Sequence, residues 1–377
     1  MRLSRGFLAS AALAAFLALL VGGTLLWVDK ENERLRETYL SEHSAELRAA
    51  LAIKKASLGQ AIEALRQDVV FLAQTPPISG IVRASANQGV DPRDKDPYSA
   101  WEARLQEIFS AFLRVHPDYF QVRFIGASNE GRELVRVENR DGRIQVIPRE
   151  ALSPEGDQDY FRAGLLLTAG RVHLSGFALN RAGGKIEEPH RPILRAVTPV
   201  FDASGHVFGM VEAEEDMRAL FAASLPGLPQ GIAGYVADQQ GHYLFHPDAK
   251  RAFAFEFGDK GNIADDFPVL KQVFESQAQG YLPLQAADHR SGQYVAAERV
   301  FFDPSDPSRY LVLAYGMPAA GIEAQAAQIP KPIVATILAL AIIAGLSLGL
   351  ATSHIFPRLR RIAAGNGRVR QEPADQV

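Results

Sequence analysis

Cysteine is absent from all 377 residues. Disulfides, thiolate nucleophiles and cysteine-ligated metals are thereby excluded, and the chain is compatible with an oxidising compartment. An excess of basic charge is also missing. Lys and Arg number 40 against 43 Asp and Glu, a formal net charge of -3, so no broad positive surface is offered to nucleic acid. Signatures of familiar chemistry are lacking too: there is no His-Glu-x-x-His pattern, no Gly-x-Ser-x-Gly elbow and no P-loop. Gly183-Gly184 reads as a turn, and Asp265-Asp266 beside an apolar helix start reads as capping or solvation. Asp91, Asp94 and Asp96 lack the glycine and final glutamate of a calcium loop and read as a solvated loop. His242 and His246 lie four positions apart, about 13 Å along a strand, too far to converge on one metal. These absences speak against an enzyme, and no metal ion or cofactor is implied.

What the chain does have is two long apolar runs. Phe7 to Val28 carries no charge and is long enough to cross a bilayer as a helix. It is longer than the core of a signal peptide and ends in Leu25-Leu26-Trp27-Val28 rather than a small-x-small cleavage site. The second run spans Pro332 to about Ala351, with Gly345 and Gly349 at the spacing of a close helix contact. Arg2 and Arg5 precede the first run, acidic residues follow it, and Arg358, Arg360, Arg361, Arg368 and Arg370 follow the second. The positive-inside bias then puts both termini in the cytoplasm and the middle outside it. The expected organisation is a cytoplasmic terminus (1–6), a first membrane helix (7–28), a stalk and spine helix (29–75), two modules (76–215 and 216–325), a second membrane helix (332–354) and a cytoplasmic tail (355–377).

The middle, about 300 residues, is enough for one large domain or two small ones. From Asp29 to Gln74 the apolar residues Leu47, Leu51, Leu58, Ile62, Leu65, Val69 and Leu72 recur at spacings of three, four or seven, which places them on one stripe of a long helix. Pro76 and Pro77 stop that helix. Tyr98 to Val115 reads as a second amphipathic helix, with Trp101, Leu105, Ile108, Phe109 and Phe112 on its apolar side. After Pro117 the period changes to that of strands: 119–128, 132–138, 172–179, 193–201 and 206–214, with a short helix at 159–167. A smaller version of the same order follows, with helices at 217–225 and 267–276 and strands at 232–237, 242–245, 292–302 and 309–315. Asp202-Ala203-Ser204-Gly205 and Asp238-Gln239-Gln240-Gly241 supply matching turns in the two halves. The fold class is therefore α+β: a long N-terminal helix and two antiparallel-sheet modules in tandem, flanked by two transmembrane helices.

Several stretches carry a resemblance. They are Asp159-Tyr160-Phe161-Arg162-Ala163-Gly164, Val172-His173-Leu174-Ser175, Leu179-Asn180-Arg181, Glu187-Glu188-Pro189, Pro192 to Val200, and Gly241 to Asp248. Together they resemble the double Cache, tandem PAS-like sensor region of bacterial transmembrane histidine kinases and diguanylate cyclases, over about Asp29 to Ile355. The resemblance implies an inner-membrane receptor whose periplasmic distal module binds a small ligand and whose proximal module passes the signal on. It further implies a homodimer in contact with membrane lipid. Ile355-Phe356-Pro357-Arg358-Leu359-Arg360-Arg361-Ile362 looks like the opening of a HAMP linker, which implies a cytoplasmic output partner or module. Trp101, Arg104 and Tyr98 share residue types with the amino-acid-sensing members, but not their spacing.

Five residues emerge as ligand-binding candidates in the distal module. Arg123, Arg136 and Arg195 fall in three strands, and an arginine fork suits a carboxylate or phosphate. Tyr160 would close the edge of the pocket, and Ser175 would add a short hydrogen bond. The competing reading pairs these arginines with Glu133, Glu138 or Asp159. The function expected is a transmembrane receptor for a small anionic or zwitterionic molecule; the alternative is a membrane-anchored periplasmic scaffold for another protein.

Overall fold

The computed structural model describes residues 5–182, 184–222, 231–275, 280–286, 292–320, 332–347 and 350. Two compact units result: Met1–Glu42 with Ala319–Val377, and His43–Pro318.

Helix α1 (Arg5–Ala73) is continuous through the apolar opening and the striped stretch after it. In the second unit the whole predicted stripe, Leu47 through Leu72, is buried. Polar tethers flank the stripe: Asp68 accepts from the Tyr119 hydroxyl at 2.7 Å, Lys55 pairs with Glu298 at 2.7 Å, and buried Lys54 donates to the Leu220 carbonyl at 2.7 Å. The two prolines do not open a loop as expected. They occupy the first turn of a second helix, α2 (Pro76–Ser85), where a missing N–H costs nothing. Trp101 of α3 (Tyr98–Val115) lies against Gly80, where a Cβ would come within 2.2 Å of the indole ring. The 91–96 loop is likewise not simply solvated. Asp91 is buried and accepts a 2.6 Å ion pair from Arg83, whose guanidinium holds the Asp91 carboxyl well below the usual range.

The distal sheet contains β1 (Tyr119–Gly126), β2 (Glu133–Arg140), β3 (Arg143–Val146), β4 (His173–Leu174), β5 (Ala178–Leu179), β8 (Pro192–Phe201) and β9 (Val207–Asp216), with α4 (Asp159–Leu165) laid over it. A separate small hairpin pairs β6 (Arg181–Ala182) with β7 (Lys185–Ile186). The order is β3-β2-β1-β9-β8-β4, with β5 also on β8. The sequence suggests about five strands. The sheet gains β3 because Asp141 and Gly142 both adopt positive φ, the requirement of a two-residue hairpin turn. The expected strand at 172–179 divides into β4 and β5.

The proximal sheet follows α5 (Met217–Ala222). Its strands are β10 (Ala233–Ala237), β11 (Tyr243–Phe245), β12 (Tyr281–Ala286), β13 (Gln293–Phe301) and β14 (Tyr310–Pro318), in the order β11-β10-β14-β13-β12. The short helices α6 (Ile263–Asp266) and α7 (Lys271–Glu275), with a 3₁₀ turn between them, cover one face. Phe267, Leu270, Val295, Ala297, Val312 and Ala314 pack beneath them. The paired Asp-x-x-Gly turns have the same geometry in both modules. Asp202 accepts from the N–H groups two and four residues on at 2.8 and 3.0 Å, and Asp238 does so at 2.9 and 2.9 Å.

In the first unit, the apolar part of α1 is long and hydrophobic enough to span a membrane. The shorter apolar helix α8 (Pro332–Ser347) packs on it at Gly345, where a Cβ would come within 2.3 Å of Leu17. Gly349, the arginines after it, Ile329 and the HAMP-like stretch lie outside the described residues, as do parts of the helices expected at 217–225 and 267–276.

Candidate functional site

Strand alternation puts Gln121 and Arg123 of β1, Arg136 of β2, Arg195 and Val197 of β8, and Met210, Glu212 and Glu214 of β9 on one face of the distal sheet. Register sets who meets whom. Arg123 lies opposite Arg136 on one side and Glu212 on the other; Gln121 lies opposite Glu138 and Glu214; Glu214 lies opposite Arg195. Two arginines directly opposed are repulsive. Glu133 offsets this, reaching Arg123 at 3.1 Å and Arg136 at 3.6 Å.

Arg123 is the hub and is only 4% exposed. Its Nε and Nη2 donate to the two oxygens of Glu212 at 2.7 and 2.8 Å. It also reaches Glu214 at 3.0 Å and Glu155 at 3.1 Å. Arg195 donates through Nε to Glu214 and lies 3.5 Å from Glu212. Arg136 pairs with Glu138. Helix α4 swings Tyr160 over this group. The Tyr160 hydroxyl donates to Glu155 at 2.7 Å, and its ring lies 5.7 Å from the Arg123 guanidinium carbon and 5.3 Å from that of Arg195. Ile125, Phe161, Val197 and Met210 complete an apolar border. Ser175 meets Arg195 along the backbone: its Oγ accepts from the Arg195 N–H at 3.1 Å, and its N–H donates to the Arg195 carbonyl at 2.9 Å.

Burial raises Glu212, against the pull of Arg123, to about 8. Burial also disfavours charge on Glu214, yet Arg195 and Arg123 outweigh it and draw this carboxyl down. Burial pushes the Tyr160 hydroxyl far up, so it stays a donor.

The structure therefore gathers Arg123, Arg195 and Tyr160 into one buried cluster, with Arg136 on the next strand and Ser175 at its lip. Of the competing partners, Glu133 and Glu138 do pair with these arginines, whereas Asp159 pairs with Arg162 at 3.5 Å. Gln121, Glu155, Glu212 and Glu214 escape the sequence reading. The alternation Met210-Val211-Glu212-Ala213-Glu214, with acids at every second place of a strand, is the signal that points to the last two. Trp101 and Arg104 stack on each other at 4.5 Å, with Arg104 held by Asp96 at 2.6 Å. His242 pairs with Asp238 at 3.0 Å, and His246 accepts from the Asp248 N–H at 2.9 Å. A separate cavity of about 440 Å³ opens between α1, α2 and the β8–β9 turn, with Val70, Ile78, Val82, Thr198 and Phe201 in its wall; it includes none of the five candidates.

The lip of the site is fastened to the proximal module. Arg309 donates to the Leu174 carbonyl at 2.8 Å and to the Ser175 carbonyl, and Asp303 holds it at 2.7 Å. Glu256 accepts the Leu179 N–H at 2.7 Å and pairs with Arg181 at 2.5 Å. Phe177 stacks edge-on against Phe302 at 5.3 Å.

Two antiparallel sheets in tandem behind one long helix, with a polar cluster under the flap of the first, define a Cache-type sensor region. The extracellular domain of the histidine kinase vpHK1S-Z8 has this fold: 17% identity, 77% of this chain and 96% of that one covered, TM-score 0.62. So does a domain of a sensory box/GGDEF family protein from Vibrio parahaemolyticus, at 18% identity, 75% and 99% coverage, and TM-score 0.61. The family described as bacterial histidine kinase, sensor domain, matches residues 93–287, and the chain belongs to it. A comparison with curated protein sequences yields no match.

Proposed function

We propose that this chain is the input portion of a two-pass, homodimeric receptor of the bacterial inner membrane. Its His43–Pro318 unit faces the periplasm, its termini face the cytoplasm, and its distal module takes a small charged ligand, anionic or zwitterionic, on the face built by Arg123, Arg136, Arg195, Tyr160 and Ser175. One observation carries this reading: a buried polar cluster at the centre of a sheet, whose covering flap is hydrogen-bonded to the next module. A group that binds there and moves Arg195 also moves Ser175, and Ser175 is tied to Arg309. Arg309 directly precedes β14, whose chain leads towards α8. A ligand shifts such an equilibrium only by its difference in affinity for the two arrangements. The output lies in a cytoplasmic partner or in a module beyond this sequence.

The test is a thermal-shift screen of small carboxylates, amines and amino acids on the full chain in nanodiscs, followed by titration of Arg136→Ala/Arg195→Ala. Loss of saturable binding in the double variant supports the site; unchanged affinity overturns it. Topology reporters that put Val135 or Ala296 in the cytoplasm would end the receptor reading itself.

A further inference from the structure

The charges of the distal cluster do not balance. Among the described residues its ion pairs link four arginines, Arg123, Arg136, Arg140 and Arg195, to six glutamates, at positions 133, 138, 155, 187, 212 and 214. Two carboxylates are in excess, and the side chains of Glu133, Glu212 and Glu214 are fully buried. Protonating one glutamate would relieve half of the excess; burial of a second unpaired carboxylate remains costly.

A separate observation locates the deficit. Glu214 Oε2 and Gln121 Oε1 are both buried without a hydrogen-bond donor among the described residues. Gln121 and Glu214 are register partners on adjacent strands, so their side chains leave the same face about 5 Å apart at Cβ. Two neighbouring acceptors lacking donors, in a group short of positive charge, call for one cationic donor. The nearby guanidinium groups of Arg123 and Arg195 are committed to other oxygens. A bare anion would add to the excess and would have to displace a glutamate from an arginine.

The geometry points to an ammonium group as the part of the ligand that this site recognises, donating to Glu214 Oε2 and Gln121 Oε1. The ligand class is thus a small amine, or a zwitterion through its ammonium end, rather than a simple carboxylate. This rests on the reading of the distal face as the ligand site. The side chains of Arg136 and Arg195, 20% and 16% exposed, mark the side from which it enters.

The experiment uses the full chain in nanodiscs and three matched probe series of two to six carbons: primary alkylamines, alkyl carboxylates and ω-amino acids. Calorimetric titration is expected to show saturable binding in the amine or amino-acid series and none among the carboxylates. Glu214→Gln should weaken that binding about tenfold, the loss expected for one charged hydrogen bond. Gln121→Glu should tighten it, a direction that misfolding does not produce. Carboxylates binding as well as amines, or an amine affinity indifferent to both substitutions, overturns the ammonium assignment and leaves the receptor reading standing. No response to any of the three series overturns both.

Discussion

The distal and proximal sheets put opposite chemistry on corresponding strands. In the distal sheet the central strand β9 carries Glu212 and Glu214 between the arginines of β1 and β8. In the proximal sheet the central strand β14 carries Val312, Ala314 and Gly316 between Tyr235 and Ala237 of β10 and Val295 and Ala297 of β13. The proximal face is closed core: Phe267 and Tyr235 lie so near Gly316 that a Cβ there would come within 3.1 to 3.2 Å of their rings. The same topology supports a filled apolar layer in one module and a buried ionic layer in the other. A buried ion pair contributes little net stability compared with apolar packing. The distal module thus gives up core at the place where its relative uses it, as expected of a surface shaped for recognition.

That contrast can be broken most forcefully at Arg123. Arg123→Leu strips the partner from four buried or near-buried glutamates and should cost about 3–5 kcal/mol in chemical denaturation. A change below 1 kcal/mol would mean that the ionic layer is not held by this hub.

The next effect is on pH. Glu212 and Glu215 are both raised by burial to about 8 from an ordinary 4.5. Between those values the folded state holds protons that the unfolded state has released, so stability falls as pH rises from about 4.5 to about 8. Glu214 is lowered and acts in the opposite sense, since stability drops as pH falls below about 4.5. Denaturation midpoints from pH 4 to 9 should therefore decline across neutrality, and Glu212→Gln should flatten the decline. An unchanged profile in that variant would assign the slope elsewhere.

Proximal packing is tested by Gly316→Ala, which pushes a methyl group into two rings and should cost about 1–3 kcal/mol. A neutral result would show slack in a layer described here as closed. The smallest expected effect is that of Arg309→Ala, an inter-module tether with little buried area behind it. It should destabilise by about 1 kcal/mol, while hydrogen exchange at Leu174 to Leu179 accelerates. Slow exchange there would show that the flap holds without the proximal module.

Much of the fold was legible because its signals are local. The stripe from Leu47 to Leu72 and the helix Tyr98–Val115 follow from spacing alone, and the turns at Asp141-Gly142 and Asp202 to Gly205 follow from residue type. Pro76-Pro77 misled, because proline ends one helix and begins another by the same property of its ring. At the site, Arg123, Arg195 and Tyr160 were readable as polar residues in apolar strands. Their partners were not, since Arg123 meets Glu212 only through a register that joins residues 89 apart in sequence.

Because Glu256 and Arg309 stitch the 173–187 flap to the second sheet, the first sheet is not an independent receptor. Cut after Asp216, it would keep its arginines and lose its latch. Such a fragment should bind any ligand less tightly than the intact unit by whatever fraction of the time its cover hangs open.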